Sequence, residues 1–149
     1  MTKTTTLSAQ ANETRTGSAG WMIQVLSNRL GEQLRGHLAD LDLTQDQFIV
    51  MMTLAEGDGV NQTEIGKRVR LKNYTVTRVL DALEARGLVE RQADKTSRRA
   101  HLVVLTGEGQ ALMPRLFEIV KASNAGFLSA LSKKDQVEFL RLLTQLVQA

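Results

Sequence analysis

The apolar pattern of this chain switches period once, and the switch follows directly on a pair of helical segments. Between Asn61 and Arg86, hydrophobic residues recur at steps of three and four: Ile65 and Val69, then Val76, Val79, Leu80 and Leu83. A turn around Leu71, Lys72 and Asn73 divides this stretch into a short helix and a longer one. Gly87 is placed to end the second as a left-handed residue. Two short strand-type segments follow, Leu88–Gln92 and Ala100–Leu105, joined by the polar, cationic ADKTSRR. Two helices joined by a tight turn and followed by a hairpin make a winged helix-turn-helix.

The flanks are helical. Met22, Val25, Leu26, Leu30, Leu34, Leu38 and Leu41 form one stripe between Ala19 and Leu41. Thr44 with Gln47 makes a capping box, Leu43 is placed as a staple, and Phe48, Met51, Met52 and Ala55 continue the helix. The run Glu56-Gly57-Asp58-Gly59 stops it. Asn61 offers the next cap, with Glu64 in the box position. Thr106 caps the helix after the hairpin, which carries Leu112, Leu116, Ile119, Val120 and Phe127 and is expected to kink at Pro114. Ser132 with Asp135 opens the last helix, where Val137, Leu140, Leu143, Leu146 and Val147 repeat. Residues 1–18, rich in Thr, Ser and Ala, are expected to be disordered.

The expected fold is therefore mainly α with a small β-hairpin. A winged helix-turn-helix DNA-binding domain occupies 43–106. The N- and C-terminal helices, 19–42 and 107–149, form a dimerisation arm. The apolar surface of Leu116, Ile119, Val120, Phe127, Leu128 and Leu131 exceeds what one winged helix covers. An intramolecular bundle would bury it, but an intertwined homodimer also fixes the spacing that a two-fold operator requires.

Composition narrows the chemistry. With no cysteine, disulfides, thiolate nucleophiles and thiol redox sensing are excluded. His37 and His101 are the only histidines, without metal-ligand spacing, so no metal or other cofactor is expected. No nucleophile–base pairing and no phosphate-cradling glycine loop is present, and glycines 57, 59, 87, 107 and 109 read as punctuation at helix ends. Catalysis is not expected. No apolar run approaches a membrane span and the N-terminus has no secretory h-region, so the expectation is a soluble, cytoplasmic protein.

The charge is concentrated. Residues 61–101 hold ten Lys/Arg against five Asp/Glu, a local excess larger than the net +3 of the whole chain. A basic middle between mildly acidic arms suits an anionic partner. Only the major groove admits a helix and displays a full base code. With the apolar face of the second helix committed to the core, Lys72, Asn73, Tyr74, Thr75, Thr77 and Arg78 remain outward as DNA contacts. Gln62 and Thr63, at the start of the preceding helix, are placed for phosphate, with Asn61 assigned to capping. Lys95, Arg98 and Arg99 crowd the wing tip, where a guanidinium can enter the narrow minor groove. The alternative is a winged-helix dimer whose basic face meets an acidic protein partner.

The run LTQDQFIVMMTLAEGDGVNQTEIGKRVRLKNYTVTRVLDALEARGLVERQADKTSRRAHLVVLTGEG resembles the multiple-antibiotic-resistance regulator (MarR) family. TVTRVLDALEARGLVER (Thr75–Arg91) and RRAHLVVLT (Arg98–Thr106) are the most specific pieces. The resemblance implies a homodimeric transcriptional regulator, most often a repressor, bound to a pseudo-palindromic double-stranded operator. It implies release by a small-molecule effector, often an anionic aromatic. It also implies that Leu71–Arg86 supplies the recognition helix and that Arg99 is the wing arginine of an Asp-x-Arg motif. The Asp position is Ser97 here, so either Asp94 holds the arginine from further back or the arginine is less fixed. The family's ligand crevice, between arm and DNA-binding lobe, would lie near Trp21, Arg35, His37, Phe48, Met51 and Met52.

Overall fold

The computed structural model describes residues 6–57, 59–99 and 101–149. These form α1 (Leu7–Thr16), α2 (Ala19–Ala39), α3 (Gln45–Ala55), β1 (Val60–Asn61), α4 (Gln62–Val69), α5 (Asn73–Ala85), β2 (Val89–Ala93), β3 (His101–Leu105), α6 (Gly107–Leu128) and α7 (Lys133–Gln148). The helix starts follow from their caps. Thr44 and Gln47 make the reciprocal capping box of α3. Asn61, Thr106 and Ser132 each accept a hydrogen bond from the backbone N–H of Glu64, Gly109 and Asp135, at 2.8, 3.0 and 3.2 Å. Each bond satisfies a donor that the helix geometry leaves without an internal partner.

The core is built around α3, whose Val50 and Met51 have no exposed surface. Leu38 of α2, Ile65 of α4, Val76, Leu80 and Leu83 of α5 and Leu116 of α6 are equally buried around it. One apolar cluster thus joins the winged-helix lobe to the near ends of α2 and α6. The far side of the arms is different: α7 has no buried residue.

Three sequence expectations need correction. The tail expected to be disordered is helical over Leu7–Thr16, while residues 1–5 lie outside the described residues. Thr6 caps this helix, and its interior holds good helix formers such as Leu7, Ala9, Gln10 and Ala11 without burying any of them. The hairpin is part of a three-stranded antiparallel sheet of order β1-β3-β2, because Val60 and Asn61 pair with Val103 and Leu102. Two residues are too few to show alternation, so β1 has no signal in the sequence. Asp58 and Ala100, assigned to a stop and a strand start, lie outside the described residues. Helix α6 is one element across Pro114, with Met113 and Leu116 on either side of it buried in the core.

The third is Gly109. It is not mere punctuation: a Cβ there would stand 2.0 Å from the carbonyl oxygen of Leu88. The first turn of α6 packs backbone against backbone on the start of the hairpin. Thr106 stitches the same joint, its N–H donating to Leu88 O at 3.1 Å and its hydroxyl to Gly87 O at 2.5 Å. Gly87 itself adopts φ +69, the left-handed conformation expected of it.

Gly109→Ala should cost about 3 kcal/mol or more, because the methyl can be admitted only by moving backbone. Thermal unfolding measures this. A variant that melts with the wild type would contradict the close approach.

Candidate nucleic-acid interface

The apolar residues of α5 are spent inward, so its other face is fixed by helical geometry. Tyr74 is 64% exposed, and Arg78, one turn later, is exposed on the same side. Lys72 stands at the N-cap position without a side-chain capping bond, leaving its ammonium in solvent. Leu71 precedes the helix rather than belonging to it, and Thr75 is half-buried beside Val76.

Gln62, expected at phosphate, is engaged within the protein. Its amide donates to Asn73 Oδ1 at 3.1 Å and to Thr77 Oγ1 at 2.5 Å. Thr77 in turn donates to Asn73 O at 3.0 Å. Three expected DNA contacts therefore meet one another, and the network fixes α5 against α4 where the two helices join. Thr63 remains exposed and free of side-chain bonds among the described residues.

Lys95, Arg98 and Arg99 are exposed on the wing and form no ion pair among the described residues. Asp94 does not hold Arg99. It accepts from the Thr96 N–H at 2.9 Å and from the Thr96 hydroxyl at 2.7 Å, closing the tip of the wing instead. Those two bonds hold its carboxyl below the usual aspartate range. A polar crevice of about 300 Å³ between α4 and the wing brings Gln62 and Thr63 together with Arg91, Arg99 and His101. Gln62, bonded to α5, also lines this crevice.

Two arginines escaped the sequence reading. Arg91 of β2 donates from Nη1 to Glu84 and from Nη2 to Asp81, both at 2.6 Å, while its backbone N–H meets Glu84 at 3.2 Å. Partial burial pulls its pKa down, but the bonds to Asp81 and Glu84 outweigh this and hold it above the ordinary value. A signal existed: Glu84 has no cation one turn away on its own helix, so its partner had to come from elsewhere. Arg86 had no such signal. Its guanidinium donates to Leu41 O at 2.9 Å and Asp42 O at 2.5 Å, clamping the end of α5 to the turn after α2.

The expected ligand-crevice residues do not come together. Phe48 lines a cavity of about 670 Å³ enclosed by α2, α3, α6 and α7, whereas Arg35, His37, Met51 and Met52 do not. Arg35 lies beside its wall, next to Gly31. Trp21 sits at the α1–α2 junction, with the Arg15 guanidinium 5.8 Å from its ring centre. No charged residue lines the cavity, and the buried Ser123 Oγ on its wall has no hydrogen-bond partner among the described residues.

Residues 43–101 match the family model described as the MarR family. Over 108 residues the chain is 31% identical to the transcriptional regulator HosA of Escherichia coli O111:H-, covering 72% of this chain and 80% of that protein. It is 29% identical over 127 residues to the HTH-type transcriptional repressor Rv2887 of Mycobacterium tuberculosis, covering 85% and 91%. The crystal structure of wild-type MarR in its apo form from E. coli is similar at a TM-score of 0.80 and 25% identity, over 87% of this chain and 96% of that one. No helix of the described residues is long and apolar enough to cross a membrane.

The Asp94 bonds carry a pH signature. A depressed carboxylate pKa means that the closed wing tip is present above the unfolded value and is lost as pH falls through the lower folded one. The Thr96 amide shift in NMR should titrate with a midpoint below the ordinary aspartate value of about 3.9. A midpoint at or above that value would contradict the arrangement.

Proposed function

The chain belongs to the MarR family of transcriptional regulators, and on that premise we propose that it acts as a homodimer on double-stranded DNA, most simply as a repressor. One observation carries the DNA reading. The start of α4 faces the cationic wing across the crevice, Gln62 at that start bonds Asn73 and Thr77 of α5, and none of Lys72, Arg78, Lys95, Arg98 or Arg99 has an acidic partner among the described residues. Tyr74 and Arg78 enter a major groove, and Arg99 reaches the adjoining minor groove. The exposed apolar side chains of the arms support the dimer. Val137, Leu140 and Val147 of α7 are 71%, 51% and 85% exposed, and Trp21 and Val25 of α2 are 52% and 41% exposed. Leaving such a surface in water is costly, and a second copy removes it. Two recognition helices related by that axis read half-sites about one helical turn apart, roughly 34 Å, on a pseudo-palindromic operator.

An effector would bind in the cavity beneath the arms. The chemistry of the wall favours a neutral, largely apolar molecule with one hydrogen-bonding group for Ser123, rather than the anionic aromatic that the family resemblance implies. No charged side chain is among the lining residues, so an anion would have only Arg35, beside the wall at Gly31, to offset its desolvation. Because Phe48 on the wall belongs to the winged-helix core and α2, α6 and α7 to the arms, a ligand favouring one spacing of the dimer would weaken DNA binding. It would do so by its coupling free energy, typically about 1–3 kcal/mol.

The DNA reading is tested by fluorescence anisotropy with the duplex just upstream of the chain's own coding sequence, against a scrambled duplex. A dimer that neutralises about six to ten phosphates loses roughly 10³–10⁵ in affinity between 50 and 200 mM salt while keeping its preference. Arg99→Ala should weaken binding to both duplexes and flatten the salt dependence by about one phosphate equivalent. Equal affinity of Arg99→Ala and wild type would remove the wing from the interface. Sequence-blind binding that vanishes at 200 mM would favour an acidic protein partner instead. For the cavity, benzamide and benzoate offer the same ring with and without charge. The neutral amide should raise the melting temperature and the anion should not; the reverse would contradict the proposed ligand class.

A further inference from the structure

Arg91 stands at the midpoint of the wing. In the β2–β3 ladder Val89 pairs with Leu105, Arg91 with Val103 and Ala93 with His101, so the hairpin is one hydrogen-bonded ribbon from its base to the start of its tip. Strand side chains alternate, which puts Arg91 on the same face of β2 as Val89. Val89 is buried in the core, and one step further along that face the ribbon passes the edge of the core. There it meets Asp81 and Glu84, three residues apart on one face of α5. The guanidinium spans both carboxylates at 2.6 Å, and its side chain is only 22% exposed.

We propose that Arg91 is a positioning residue for DNA recognition, locking the wing to the recognition helix so that Arg99 is held at a fixed reach from α5. The proposal rests on the DNA reading given above. No other ion pair among the described residues joins the wing to α5. Core contacts through Val89, Val103 and Leu105 secure the base of the ribbon, but beyond Arg91 its residues are mostly exposed. Strand β1 holds the β3 side of the ribbon at Val103 and Leu102, and on the β2 side the Arg91 fork with its two acceptors restrains rotation as well as distance. Since Asp94 is occupied with Thr96, the wing arginine is not held by its own tip. Its direction is set instead eight residues earlier in the chain.

The test is a double-mutant cycle on one operator duplex, with full-length wild type, Arg91→Gln, Arg99→Ala and the pair, each checked by thermal unfolding. Arg91→Gln should weaken binding about tenfold, the size of one lost groove contact, and Arg99→Ala should then add little. Effects that multiply independently would overturn the proposal, as would wild-type affinity for Arg91→Gln. Arg91→Lys separates positioning from direct phosphate contact: it keeps the charge but not the fork, and should bind like Arg91→Gln. A lysine variant with wild-type affinity would overturn the proposal. The Asp81→Asn, Glu84→Gln double variant leaves Arg91 intact and makes the protein more positive. Simple electrostatics predicts tighter DNA binding, whereas positioning predicts weaker binding, and tighter binding would overturn the proposal even if Arg91→Gln failed to fold. If the wild type bound no duplex at all, the DNA reading itself would fall and the proposal with it.

Discussion

The burial of one face of α5 sets the terms for everything else. Val76, Leu80 and Leu83 have no exposed surface, and they pack with Ile65 of α4 and the α3 core. Burying a residue of this kind contributes about 1.5–3 kcal/mol. That commitment leaves α5 no freedom to rotate about its axis. Tyr74 and Arg78 are outward because those three are inward, and Asp81 and Glu84 fall on the side where the wing passes. The polar contacts then act as fine positioning on a helix whose orientation the core has already decided. Gln62 holds the start of α5, Arg91 its middle and Arg86 its end.

These three attachments lead to three different parts of the molecule. Gln62 belongs to α4, Arg91 to the wing, and Arg86 grips the turn that ends α2, the first helix of the arm. The recognition helix is thus linked separately to its helical neighbour, to the hairpin and to the arm. Arg86 ties α5 to the end of α2 through the two carbonyls it holds. Asp42, one of the two residues so held, has φ 50, a conformation that carries a cost for a residue with a Cβ.

Much of this was legible in the sequence, and the reason is locality. The capping box of Thr44 and Gln47, the caps at Asn61, Thr106 and Ser132, the left-handed Gly87 and the switch of period are all written within a few residues. The structure has each of them where the pattern puts it. What was not legible depends on contacts distant along the chain. Gly109 looks like any glycine near a helix start until Leu88 is seen against it. Arg86 and Asp42 are 44 residues apart, and no periodicity connects them. The two-residue strand β1 is defined by its partner β3 alone. At the interface the residue types were readable and their internal bonds were not: Gln62, Asn73 and Thr77 have the chemistry of DNA readers and spend part of it on one another. Of the residues expected at a ligand crevice, only Phe48 lines the cavity between α2, α3, α6 and α7.

The central claim is that α5 and its wing read DNA as one rigid unit, used twice. Hydroxyl-radical footprinting on the upstream duplex tests it most directly. The account predicts two related protected segments about one helical turn apart, each flanked by a protected minor groove that becomes reactive again in Arg99→Ala. A single asymmetric segment, or flanks unchanged by that substitution, would contradict it.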